Sequence, residues 1–127
     1  MHKSRLAGFI IDCRTEDLDQ AARFWSSALG YTLKKSAGAD DSGYRLLDTP
    51  PDDLHIEVQK VDHPSRVHLD IEADDVEAEV QRLEKLGAKR IAQVRTWWVM
   101  EAPTGQRFCV VRVQRADFAE NANEWSQ

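Results

Sequence analysis

Five side chains of this sequence carry chemistry at a spacing that brings them to one surface: His55, Glu57, His68, Asp70 and Cys109. Each sits in a stretch where apolar and polar residues alternate. In 54–61, Ile56 and Val58 are the apolar members, and His55, Glu57 and Gln59 the others. In 66–72, Leu69 and Ile71 leave His68, Asp70 and Glu72 on the opposite side; in 107–113, Phe108 and Val110 leave Arg107, Cys109 and Val111. Successive side chains of a strand point to opposite faces, so the apolar members mark the covered side and the chemical groups share the other. Imidazole, carboxylate and thiol are all metal ligands. Without a metal, His68 with Asp70 or Glu57 is an acid–base pair, and a thiol beside an imidazole is a nucleophile. The plain alternative is a solvated polar face, which antiparallel sheets commonly carry.

Trp97 and Trp98 are consecutive within the strand-like run 96–101, so one of them faces the same side as the chemical groups. Trp25, Tyr31 and Tyr44 are further candidates for an aromatic lining. The competing assignment for the tandem tryptophans is one ring in the core and one at a dimer seam.

The elements that hold these residues follow a repeat. Asp17, Ala21, Leu29 and Gly30 align with Asp74, Ala78, Leu86 and Gly87. Each copy opens with an aspartate followed three residues later by Gln20 or Glu77, a capping pattern, and stops at a glycine suited to a left-handed cap. Between them the apolar spacing is helical: Leu18, Ala21, Ala22, Trp25 and Leu29 in one copy, Val76, Val80, Leu83 and Leu86 in the other. Strands are predicted at 7–12, 31–35, 44–48, 54–61, 66–72, 89–94, 96–101 and 107–113, separated by turn chemistry at 38–43, 50–53 and 103–105. The order is strand, helix, three strands, performed twice: an α+β fold of two tandem βαβββ modules, about 6–62 and 66–113. Their mixed sheet is expected to curve, with helices on one face and a concave pocket on the other. The tail, 114–127, is polar except for Phe118 and Trp125 and reads as a short helix or a segment docked by those rings.

Composition narrows the partners. At 127 residues with 42% hydrophobic and 31% charged content, the chain suits a single packed domain. A net charge of −5 argues against nucleic acid, whose phosphates require an excess of Lys and Arg. The apolar run Leu6 to Ile11 is too short for a signal peptide's core, and no stretch approaches the ~20 apolar residues of a membrane span. Cys13 and Cys109 make no disulfide framework, so a cytoplasmic setting is expected, with both thiols buried or half-buried.

The doubled order, with three motifs, resembles the vicinal oxygen chelate superfamily: glyoxalase I, bleomycin-resistance proteins and extradiol dioxygenases. The run Asp17 to Trp25 followed by Ala28-Leu29-Gly30-Tyr31 is similar to that family's first helix and its exit. Val67-His68-Leu69-Asp70-Ile71 leading to Asp74-Asp75-Val76 resembles the start of the second module, and Met100 to Val111 the final hairpin. The His-Leu-Asp and Phe-Cys-Val-Val pieces resemble a glyoxalase-like subgroup most.

The resemblance implies metal ligands on the first, fourth, fifth and eighth predicted strands, which fall here on Ile10, Glu57, His68 and Cys109. Glu57 and His68 match the metal enzymes. Ile10 has no lone pair to offer, and Cys109 replaces a customary glutamate with a softer ligand that favours zinc. His55 and Asp70 face the same side and are available for a shifted site. These departures argue against lactoylglutathione lyase activity and, with one histidine place filled, against extradiol dioxygenase activity. The reading is a glyoxalase-like small-molecule-binding protein, a homodimer by analogy with the family, with Glu57, His68, Asp70, Cys109, Trp97, Trp98 and His55 around the ligand and no cofactor required. The alternative is a metal-dependent lyase, isomerase or dioxygenase of the same superfamily in which Glu57 and His68 hold a divalent metal.

Overall fold

The computed structural model describes residues 1–34 and 43–126. Along the chain run β1 (His2–Arg14), α1 (Leu18–Leu29), β2 (Tyr44–Leu46), β3 (His55–Val61), β4 (Arg66–Ala73), α2 (Val76–Lys85), β5 (Lys89–Val94), β6 (Trp97–Glu101), β7 (Arg107–Arg112), α3 (Phe118–Asn121) and β8 (Asn123–Trp125). The architecture is α+β with a mixed sheet, as the repeat predicts. The chain divides into a first unit, Phe9–Val67, and a second, Met1–Gly8 with His68–Gln127.

In the first unit the strand order is β2–β3–β1. The Asp17 carboxylate accepts from the Gln20 amide at 3.1 Å and so caps α1, and Gly30 ends it at φ 82° with its N–H on Ser26 O. Leu18 and Ala22 then bury Val58 of β3 completely, with Cys13, Ala21, Trp25 and Leu33 packed around them. Trp25, a candidate pocket wall from sequence, therefore belongs to the helix side, where Phe24 meets it edge-on at 5.0 Å. Among the described residues the strand predicted at 31–35 shows one bridge, Leu33 to Leu47, with Asp48 N–H on Thr32 O and Lys34 N–H on Leu46 O beside it. Its partner segment turns away immediately afterwards, where Thr49 N–H folds back to Leu47 O and Pro50 and Pro51 have no N–H to extend a ladder. Lys35 and the predicted turn through Ser42 lie outside the described residues.

In the second unit the order is β1–β4–β7–β6–β5, with β8 on the start of β1. The pair β4–β7 is parallel, whereas β6 is antiparallel to both β5 and β7. Helix α2 lies over β5, β6 and β7 and buries Val80 and Leu83 against Ala73, Met100 and Val110. Leu69, assigned to the covered side, stays 45% exposed because α2 does not extend over its end of β4. The predicted cap also shifts by one residue. Asp75 accepts from the Ala78 amide at 3.0 Å, whereas Asp74 takes the Lys3 amide of β1 at 2.8 Å. Strand pairing thus decides between two adjacent aspartates that are locally equivalent. The helix closes through Ala88 N–H to Leu83 O and Gly87 N–H to Glu84 O, with Gly87 at φ 108°.

β1 begins at His2 rather than near Ala7. His2 and Ser4 are buried polar residues, His2 bonded to Glu79 at 2.7 Å and Ser4 to the indole of Trp125 at 2.8 Å. An alternation test scores such residues as exposed, so the strand is longer than its apolar part. The tail holds a short helix and also a strand that the alternation did not predict: α3 buries Phe118, and β8 pairs Trp125 with His2 while the Arg82 guanidinium lies 3.8 Å over the Trp125 ring. Among the described residues no helix is long and apolar enough to cross a membrane.

Candidate functional site

In the second unit, Ile71 and Ala73 of β4 turn toward the α2 core, as do Phe108 and Val110 of β7. Asp70 and Cys109 are consequently on the helix-free face, and the parallel register sets them directly opposite each other. His68 precedes Asp70 by one alternation and shares its face. Ligand-capable atoms of His68, Asp70 and Cys109 all lie within 4.8 Å of one another. His68 Nε2 is 3.6 Å from Asp70 Oδ1, beyond a good hydrogen bond, and both side chains are about nine-tenths buried. Among the described residues no hydrogen-bond donor reaches Asp70 Oδ1, which is itself buried. Leaving such an atom unsatisfied costs roughly 1–3 kcal/mol.

Glu72, two residues along the same face, is the opposite case. It is fully buried and accepts from Arg5 Nε at 2.8 Å, the Gln114 amide at 2.7 Å, the Arg115 amide at 3.0 Å and Arg115 Nε at 3.1 Å. Burial pushes its carboxyl upward, but these donors outweigh it and hold the group below the usual carboxylate range. Glu72 is a clamp on the C-terminal segment. Alternation places Glu72 on this face without a role; the signal in the sequence is Arg115, the one cation of the tail 114–127.

The tandem tryptophans divide between the faces. β6 sets Trp98 opposite Val110 and Val99 opposite Cys109. Trp98 packs on the α2 core, with the Arg90 guanidinium 5.0 Å from its ring, so its side of the strand is the covered one. Trp97, half-buried, shares the face of Val99 and Cys109.

In the first unit, Val58 points under α1, so His55 and Glu57 occupy the helix-free face of β3; Glu57 pairs with Leu46 of β2. Gln59 Nε2 donates to Tyr44 Oη at 3.0 Å on that same face. Ile10 is buried at 4% exposure, and Asp12 beside it is reached by Arg66 at 3.3 Å. An open depression of about 810 Å³ lies at one end of this unit, lined by Arg14, Glu16, Gln59, Lys60 and His63 among others. Neither His55 nor Glu57 lines it. Both thiols are free and half-buried, and burial raises the pKa of Cys13.

The sequence profile of the glyoxalase-like domain family matches residues 8–111. The chain belongs to this family. As a glyoxalase-like domain it falls within the vicinal oxygen chelate superfamily, and solved structures share its fold. Methylmalonyl-CoA epimerase from Mycobacterium tuberculosis is 20% identical, with a TM-score of 0.62 over 86% of this chain and 87% of that one. A chain described as NAD-dependent benzaldehyde dehydrogenase from Legionella pneumophila is 9% identical, with a TM-score of 0.60 over 84% and 99%. A hypothetical protein from Bacillus halodurans is 16% identical, with a TM-score of 0.57 over 87% and 96%. No curated protein sequence matches the chain. For this glyoxalase-like domain the four-ligand metal centre implied by the superfamily does not fit the residues present. The place that the resemblance gives to its first ligand falls on Ile10, a buried aliphatic side chain with no donor atom.

Proposed function

We propose that this glyoxalase-like domain binds a small organic molecule on the helix-free face of its second unit. His68, Asp70 and Cys109 form the polar floor and Trp97 an aromatic wall, without the superfamily's four-ligand metal centre. The observation that carries the reading is the convergence of imidazole, carboxylate and thiol within 4.8 Å on the face opposite the helix-side core. Apolar walls with a few convergent polar groups are the usual make-up of a ligand site. Asp70 Oδ1, buried without a hydrogen-bond donor among the described residues, supports it further, because a bound molecule offers the missing partner. Membership of the family and the free thiols support two finer expectations, that copies pair as homodimers and that the protein works in the reducing cytoplasm.

The test is a thermal-shift panel of small metabolites, with methylmalonyl-CoA included because a relative of the same fold is named for it. A true ligand at one hundred times its dissociation constant adds about 2.7 kcal/mol of stability. The shift is expected to vanish in His68→Ala and to weaken in Trp97→Ala. A ligand indifferent to both substitutions but lost on Arg14→Ala with Lys60→Ala would move the site to the depression of the first unit and end this proposal.

A further inference from the structure

Cys109 lies between two strands of different character. On one side β4 sets Asp70 directly opposite it, with His68 one alternation away on the same face. On the other side β6 sets Val99 opposite it, with Trp97 one alternation away. The thiol is free and half-buried. A proton acceptor thus stands to one side of a nucleophilic atom and an apolar surface to the other. We propose that this site captures an α,β-unsaturated carbonyl compound covalently, with Cys109 Sγ as the nucleophile, His68 as the proton carrier and Asp70 as the residue that positions the ring. The inference deepens the proposed function and rests on it in one respect: the captured molecule occupies the same helix-free face.

The step balances without a co-reactant. Sγ bonds to the β-carbon as the C=C π bond breaks, and the thiol proton passes to the His68 imidazole and from there to the α-carbon. The sum is addition of S–H across the double bond, and the adduct is a thioether. A ring nitrogen of His68, a carboxylate oxygen of Asp70 and Cys109 Sγ all lie within 4.8 Å of one another. Contacts of this kind are commonly long before a substrate draws them together. His68 Nε2 stands 3.6 Å from Asp70 Oδ1, and that oxygen is buried with no hydrogen-bond donor among the described residues. An imidazole that has taken up the thiol proton carries N–H on both ring nitrogens and supplies the donor that Oδ1 lacks. Asp70 therefore stabilises the charged ring at the moment the thiolate forms. Glu72, the next carboxylate on this face of β4, is met by four donors, so the lack of one is particular to Asp70. Trp97 and Val99, both half-buried, offer the surface on which the planar conjugated body lies, with its carbonyl end toward His68.

The probe is N-ethylmaleimide, an activated alkene, applied to the full chain, with alkylation at each cysteine followed in the same samples by peptide mass spectrometry. Cys13, also free and half-buried but with its pKa raised by burial, is the internal reference. Cys109 is expected to react at least about tenfold faster than Cys13. His68→Ala should slow Cys109 by about a hundredfold, and Asp70→Asn by about tenfold, while Cys13 keeps its rate. The direction separates chemistry from packing. Alanine is smaller than histidine, so a ring that merely covered the thiol would, once removed, leave Cys109 reacting faster. Far-ultraviolet circular dichroism checks that the variants fold, and the ratio of the two rates in the unaltered protein tests the proposal even if a variant does not. Equal rates at the two cysteines overturn it, as does a Cys109 rate that His68→Ala leaves unchanged or raises. Comparison with the metabolite panel separates the two ideas. Fast, His68-dependent alkylation with no metabolite shift refutes only the metabolite reading, and a His68-dependent metabolite shift with a slow Cys109 refutes only covalent capture.

Discussion

Two acidic residues on β4 illustrate how environment, not residue type, sets a role. Glu72 joins Arg5, Arg115 and two main-chain amides, so removing its charge takes away the buried carboxylate that both guanidinium groups share. Glu72→Gln is expected to lower unfolding stability by about 3–5 kcal/mol in urea titrations. Asp70→Asn, in ligand-free protein, should cost less than about 1 kcal/mol or raise the midpoint, because it discharges a carboxylate whose inner oxygen has no hydrogen bond among the described residues. Equal losses for the two variants would contradict the contrast drawn between them. At this scale the faces of Glu57, His68 and Cys109 were readable from alternation alone. The split of Trp97 from Trp98 followed from the same rule, but only the packed core says which ring goes where.

Element boundaries rest on a few capping contacts. Asp75→Ala should destabilise by roughly 1 kcal/mol through loss of the bond from the Ala78 amide. Asp74→Ala should act instead on the anchoring of β1 at Lys3, seen as faster amide exchange at that residue. Gly87→Ala is expected to cost more than Gly30→Ala. Both need positive φ, at about 1–2 kcal/mol for a residue with a Cβ, but only at Gly87 would that Cβ meet Pro103, 3.2 Å from its Cγ. Equal shifts in melting temperature for the two glycine variants would argue against that contact. The helices were legible because caps, stops and apolar stripes are written within one or two turns. The start of the strand at 31–35 was not, since it depends on a partner segment that ends at two prolines.

Across the whole chain, acid should be the condition that loosens the fold. Glu72 and Glu79 both have carboxyl pKa values held below the ordinary range: burial opposes ionisation, but hydrogen bonds from Arg5, Arg115 and main-chain amides, or from Arg82 and His2, prevail. A depressed carboxyl binds fewer protons folded than unfolded, so stability is full above the unfolded value of about 4.3 and falls as pH drops toward the folded value. Urea midpoints should therefore be level near neutrality and decline below about pH 4.3, with a shallower decline in Glu72→Gln. A midpoint independent of pH across that window would contradict the clamp.

Local rules in the amino-acid order were enough to determine the repeat, the two longer helices, the faces of Glu57, His68 and Cys109 and the kinds of chemical group on the uncovered side. They act over two to four residues, where backbone geometry is periodic. Tertiary structure alone decided that β4 runs parallel to β7 with Asp70 opposite Cys109, that Asp74 serves β1 while Asp75 caps α2, and that Glu72 is spent on Arg115. Those outcomes join segments far apart in the chain. Register between such segments is selected by the packing of whole faces, which no short window contains.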